Sequence, residues 1–237
     1  MSMAVLPGFW LVIPAAGIGS RMRADRPKQY LALAGQTILE HTLDCFLDHP
    51  QLKGLVLCLA ADDPWWAALP AARDPRIQRV DGGSERADSV LNGLLRLLEL
   101  GAAEEDWVLV HDAARPNLAR SDLDQLLAEL ADDPVGGLLA VPARDTLKRA
   151  RADGRVAETV DRSVIWQAYT PQMFRFAALH QALADALVAG VAITDEASAL
   201  EWAGQAPRLV EGRADNLKVT RPEDLEWLRQ RWTNKHR

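Results

Sequence analysis

Three short stretches, "FWLVI" (9–13), "GLVLCLA" (54–60) and "WVLVHD" (107–112), are apolar almost without interruption. A strand with one wet face alternates apolar and polar residues, so a run apolar at nearly every position needs cover on both faces. Two weaker runs, "GLLAVP" (137–142) and "LKVT" (217–220), read as further strands of the same sheet. Between the runs lie helical stretches with visible starts. Thr37 with Glu40, and Thr220 with Glu223, have the spacing of a capping box, in which each side chain accepts a backbone N–H from the other residue. Ser121 and Thr194 read as N-caps, the first for "DLDQLLAEL" and the second for the helix through "EASALEWAG". Strands alternating with helices at these lengths predict an α/β fold, a mostly parallel sheet with helices on both faces. No internal repeat, low-complexity tract or linker divides the 237 residues, so a single domain over 1–237 is expected.

One segment departs from this pattern. "DTLKRARADGRVAETVDR" (145–162) is too polar for a core helix or a buried strand. Asp153-Gly154 is a hairpin turn signal between two charged flanks. A lone two-stranded hairpin is marginal in water, so an arm at about 143–166 is expected to lean on a second copy of the chain. Packing against its own subunit is the alternative.

Charge narrows the function. A net charge of −6 and a pI near 5.4 exclude a general nucleic-acid binder, which needs a basic surface. The N-terminus has no charged residue before Arg21, so it lacks the basic start of a signal peptide. Pro7, Gly8, Pro14, Gly17 and Gly19 exclude a membrane span there. Cys45 and Cys58 sit in apolar stretches without ligand spacing, as buried thiols of a cytoplasmic protein would.

Against that acidic background, "PAAGIGSRMRADRPKQY" (14–30) gathers Arg21, Arg23, Arg26 and Lys28 behind two glycines. Glycines let backbone N–H groups approach an anion, and the cations supply compensating charge. The loop is neither a P-loop, for no Gly-Lys-Ser/Thr follows, nor a dinucleotide fingerprint, for Met22 occupies the third glycine position. Four other clusters fall just past strand ends, where an open sheet puts its ligands: "GGSERADSV" (82–90), "HDAARP" (111–116), "TDEASAL" (194–200) and "GRADNLKVT" (212–220). A capped turn would explain any one of them. Asp112, at the end of an apolar strand, is placed to hold a divalent metal. His111 beside it reads as a structural residue, and no Cys–His or Ser–His–Asp constellation stands out.

Together with "TPQMF" (170–174), these motifs closely resemble the 2-C-methyl-D-erythritol 4-phosphate cytidylyltransferases of the non-mevalonate isoprenoid pathway. The resemblance runs in order from about residue 10 to 225. It implies a Rossmann-like nucleotidyltransferase fold, a homodimer formed through the hairpin arm, and a magnesium-dependent reaction of CTP with methylerythritol phosphate. Carried over by motif, Ala15, Ala16 and Gly17 frame the nucleotide, and Gly83 and Ser89 help to select cytosine. Arg21, Lys28 and Lys218 neutralise the triphosphate, while Asp112 holds Mg²⁺ and contacts the ribose. Arg115, Thr146, Arg162, Thr170 and Thr194 position methylerythritol phosphate, with Thr146 and Arg162 arriving from the partner's arm. Many relatives carry Gln where this chain has Tyr169. The rival readings are a cytidylyltransferase for another polyol phosphate, such as ribitol 5-phosphate, a dinucleotide-dependent oxidoreductase, which Met22 disfavours, and a non-catalytic nucleotide-binding regulator, against which stands the presence of every expected catalytic cation.

Overall fold

The computed structural model describes residues 6–17, 22 and 24–235. In chain order it begins with β1 (Phe9–Pro14), a small hairpin of β2 (Ala32–Leu33) and β3 (Gln36–Thr37), and α1 (Ile38–Leu47). Then come β4 (Leu52–Leu59), β5 (Ile77–Asp81), α2 (Arg86–Glu99), β6 (Trp107–Val110), α3 (Arg120–Leu130) and β7 (Gly136–Pro142). The arm is β8 (Leu147–Ala150) with β9 (Val156–Val160). The chain closes with β10 (Trp166–Arg175), α4 (Phe176–Val188), α5 (Glu196–Trp202), β11 (Arg208–Glu211) and α6 (Pro222–Lys235). No helix among the described residues is long and apolar enough to cross a membrane.

Seven strands form the main sheet in the order β11-β7-β10-β6-β1-β4-β5, as the continuous apolar runs require. All run the same way except β10, which is antiparallel to both β6 and β7. Strand periodicity splits β1 between two cores. Phe9, Leu11 and Ile13 pack with Leu39, Leu43 and Phe46 of α1 and with the leucines of α3. Trp10 and Val12 face the other way, onto Val90, Leu94 and Leu97 of α2 and Leu179 and Leu183 of α4. A smaller cluster sets Leu225 and Leu228 of α6 against Leu33, Ile38 and Val219.

Several expected details differ. "LKVT" is not a strand; one backbone bond, Val219 N–H to Ala114 O at 2.8 Å, holds it beside the loop after β6. The α3 helix begins at Arg120 with Ala119 as its N-cap, so Ser121 lies inside the first turn. The cap of α5 is Asp195 rather than Thr194, because its carboxylate accepts the Ser198 N–H at 3.0 Å. Asp224, not Glu223, receives the Thr220 and Arg221 N–H groups, each at 2.8 Å. The Thr37–Glu40 box is present as expected, with N–H bonds of 2.9 and 3.2 Å.

Topology sets the position of the site. From β1 the chain moves through α1 to β4 on one side, and α2 later carries it back from β5 to β6 on the other side of β1. Between β1 and β6 the direction of progress reverses, which opens a crevice beyond their carboxyl ends. The loops after β1, β5 and β6 all open at this edge. The hairpin arm stands apart, sharing no ladder with the main sheet, and turns at Gly154 with φ of +79°. That value lies in the left-handed region that glycine enters without a Cβ clash. Along the arm Val156 and Val164 are 56% and 74% exposed, a large apolar exposure for so polar a segment.

Candidate active site

The three loops enclose a cleft of about 280 Å³ lined by Ala15, Ala16, Gly17, Lys28, Gly83, Ser89, Asp112 and Lys218, among others. Each of these is a residue singled out from sequence. Buried Gln29 shapes the first loop by donating through Nε2 to the Ala15 carbonyl at 2.7 Å. The loops meet closely at Gly82, where a Cβ would lie 2.5 Å from the Ala16 Cβ, so only glycine fits. Gly83 N–H donates to Ser89 Oγ at 3.0 Å, and the Ser89 hydroxyl donates to the Glu85 carbonyl at 3.1 Å. Lys28 Nζ donates to the Val219 carbonyl at 2.9 Å and so ties the first loop to the Lys218 segment.

Asp112 is the electrostatic centre. Its Oδ1 lies 3.2 Å from Arg86 Nε, and its Oδ2 lies 3.3 Å from Arg115 Nε and 2.9 Å from Lys218 Nζ. Burial alone would raise its pKa, but Arg86, Lys218 and Arg115 outweigh that and hold it well below the usual carboxylate range. Arg86 is itself gripped by Glu196 at 2.6 and 3.0 Å. Burial opposes the Arg86 charge, yet Glu196 and Asp112 together raise its pKa. This arrangement keeps one ionised carboxylate among fixed cations at a cleft wall, a setting made for polyanions.

Behind Asp112 a hydrogen-bond chain fixes the proton positions. His111 Nε2 lies 3.1 Å from the Arg115 carbonyl, which only accepts, so Nε2 carries the hydrogen. Burial pushes the His111 pKa down to about 4, leaving Nδ1 to accept from the Thr170 hydroxyl at 3.0 Å. Thr170 Oγ1 in turn accepts the Asp112 N–H at 3.1 Å. His111 thus backs the Asp112 wall through the Thr170 hydroxyl.

The remaining residues singled out from sequence are placed differently. Arg115 and Thr170 are buried behind Asp112 and do not line the cleft. Arg115 Nη1 donates to the Asn216 carbonyl at 2.7 Å, and its guanidinium lies over the Tyr169 ring at 4.5 Å. Tyr169 thus supports Arg115 with a ring face. Thr146 and Arg162 are exposed on the arm, and Thr194 is exposed just before α5; none lines the cleft. Arg162 Nη1 instead meets the Arg144 carbonyl. Arg21 lies outside the described residues.

Sequence reasoning missed three supporting residues. Glu196, Gln172 and Asn216 are each at most 1% exposed. Gln172 holds the start of α5 by donating to Asp195 at 2.9 Å and accepting the Ala197 N–H at 2.8 Å. Asn216 donates to the Thr170 carbonyl at 2.8 Å. Their motifs were visible, but partners 23 to 110 positions away leave no trace in spacing. Among the described residues no group of three or more His, Cys, Asp or Glu could hold a metal by itself.

Comparison with known proteins agrees with this architecture. Residues 9–229 match the family model of 2-C-methyl-D-erythritol 4-phosphate cytidylyltransferase. Relatives of that name from Pseudomonas savastanoi pv. phaseolicola and Pseudomonas fluorescens strain Pf-5 are 79% and 78% identical. The alignments cover 96% and 98% of this chain and 97% and 98% of those proteins. The Francisella tularensis enzyme of that name, a solved structure, superposes with a TM-score of 0.80 at 37% identity, covering 95% of this chain and 99% of that one. A crystal structure of a 4-diphosphocytidyl-2C-methyl-D-erythritol synthase gives 0.82 at 40% identity over the same shares. Matched by the family model over residues 9–229 and by relatives 78% and 79% identical over nearly their full length, the chain belongs to the 2-C-methyl-D-erythritol 4-phosphate cytidylyltransferase family.

Proposed function

We propose that the chain transfers the CMP moiety of CTP to 2-C-methyl-D-erythritol 4-phosphate, giving 4-diphosphocytidyl-2-C-methyl-D-erythritol and pyrophosphate. The observation that carries this reading is the convergence of Lys28, Lys218 and Asp112 on the cleft behind the glycine loop, in a chain of this family. A phosphate-monoester oxygen of methylerythritol phosphate forms a bond to the α-phosphorus, and the bond from that phosphorus to the bridging oxygen breaks as pyrophosphate leaves. The attacking oxygen is already an anion near neutral pH, so no strong base is needed. The difficulty is electrostatic: two anions must meet, and charge collects on the leaving group.

The side chains answer that difficulty. Lys28 and Lys218, with Arg21, bind the triphosphate and meet the charge that develops on it. Ala15, Ala16 and Gly17 offer backbone to the nucleotide, and the Gly83–Ser89 turn faces the base. Magnesium, when bound, supplies positive charge that lowers the repulsion between the phosphates. Asp112 and the substrate phosphates would hold it, because one ionised carboxylate suits a cation that keeps several waters and takes phosphate oxygens. Arg115, Thr170 and Thr194 orient methylerythritol phosphate, the first two by fixing the Asp112 wall from behind. Thr146 and Arg162 complete the acceptor site from a partner subunit's arm, a reading supported by the exposed apolar residues there. Cys45 and Cys58 form no disulfide, in keeping with a cytoplasmic enzyme.

Pyrophosphate release with four nucleotides crossed against several polyol phosphates tests the reading. CTP with methylerythritol phosphate is expected to dominate. Preference for ribitol 5-phosphate would overturn the acceptor assignment while leaving cytidylyl transfer in place.

A further inference from the structure

Glu196 is a buried carboxylate that the transfer chemistry above does not use. It is 1% exposed and sits 110 residues from the arginine it grips. Its two oxygens hold Arg86 Nη1 and Nη2, and the remaining nitrogen of the same planar guanidinium, Nε, faces Asp112 Oδ1 at 3.2 Å. A guanidinium held at two points cannot rotate. Arg86 lines the cleft, so without that grip only its single 3.2 Å contact with Asp112 holds it back from an anion bound there. With the grip, it stays on Oδ1 and leaves Oδ2 to Lys218 at 2.9 Å and Arg115 at 3.3 Å.

We propose that Glu196 is a positioning residue for cytidylyl transfer: by holding Arg86 at two points, it fixes the orientation of Asp112 and keeps Arg86 off the phosphates. The inference rests on the cytidylyltransferase reading for its kinetic consequence. Removal of the Glu196 charge makes the cleft one unit more positive and frees Arg86. Ground-state CTP then gains a contact, while Asp112 loses its fixed orientation during the reaction. Binding and turnover thus move in opposite directions. A salt bridge that merely joins α2 to α5 predicts otherwise, since loosening the site weakens both.

CTP titration calorimetry and steady-state kinetics on the parent chain, Glu196→Gln and Glu196→Asp test this, with thermal melts to confirm folding. Glu196→Gln is expected to bind CTP about 3- to 10-fold tighter. Its kcat is expected to fall about 10- to 100-fold, the usual range for a residue that orients another ligand. Glu196→Asp keeps the charge but loses reach, so it is expected to lose turnover without gaining CTP affinity. In an Arg86→Lys background, where the fork is absent, Glu196→Gln is expected to change kcat by less than about twofold. Weaker or unchanged CTP binding in Glu196→Gln, or its full kinetic loss recurring in the Arg86→Lys background, overturns the proposal. Should Glu196→Gln fail to fold, parent-level kcat in Glu196→Asp overturns it. A parent chain that releases no pyrophosphate from CTP and methylerythritol phosphate refutes the functional reading instead, and the CTP titrations still decide the role of Glu196.

Discussion

Lys28 and Lys218 reach the cleft from segments 190 positions apart and are joined through the Val219 carbonyl. On the proposed reading they act on charge that grows during the reaction, so replacing Lys28 by Ala is expected to lower turnover about 10²-fold, the scale of losing one electrostatic stabiliser. Methylerythritol phosphate binding should change far less; near-normal turnover would remove the assignment. Asp112 is a harder case, because three cations share it. Asp112→Asn strips all three of their common anion, so it is expected to cost about 3–5 kcal/mol of stability. A urea midpoint measures that loss, and calorimetry should show CTP binding less dependent on magnesium. Histidines set a third expectation. Burial lowers the pKa of His49, and it pushes that of His111 down to about 4 from an ordinary 6.5. His111 stays neutral in the folded chain down to about pH 4, and His49 takes up a proton less readily there than in the unfolded chain. Stability is therefore full above about pH 6.5 and falls below it, by at most about 1.4 kcal/mol per pH unit for each imidazole. Urea midpoints at pH 7 and pH 5 read this slope, and His49→Asn should flatten it.

Elements differed in how openly the sequence declared them. The Thr37–Glu40 box is local, so its residues suffice to announce α1, and Thr37→Ala is expected to destabilise the chain by about 1 kcal/mol in a thermal melt. The other starts were found to within a few residues, because several hydroxyls and carboxylates compete for the same N–H groups and only the final backbone chooses. Strand β10 was invisible to pattern reading. Pro171 argues against a central strand, yet β10 lies between β6 and β7, and its ladder with β7 skips from Ala168 to Gln172 around that proline. β11 was hidden for another reason, since three of its four residues are exposed at the sheet edge.

Across the whole molecule, the arm and the cleft pose one question. If the arm crosses to a neighbouring subunit, each site combines Lys28 of one chain with Arg162 of another. Homodimers of Lys28→Ala and of Arg162→Ala should then both be nearly inactive. Unfolded and refolded together in equal amounts, they redistribute their lesions, and about a quarter of all sites should carry neither under two-fold symmetry. An arm folded onto its own subunit leaves a lesion in every site, so mixing restores nothing. Recovered activity after verified subunit exchange separates the two cases.

The continuous apolar runs alone determined a sheet covered on both faces, because burial of a strand is written in its own residues. Glycines and cations beyond the strand ends likewise marked the cleft, since close backbone approach and charge compensation are properties of residue type. Tertiary structure decided what depends on pairing between distant segments. It set Arg115 and Thr170 behind Asp112 rather than in the cleft, placed Glu196 on Arg86, and left "LKVT" as a loop pinned by one backbone bond. No local spacing encodes such partners. A buried charge takes whichever opposite charge the packed helices and loops bring within reach, and that choice exists only once the chain has closed around it.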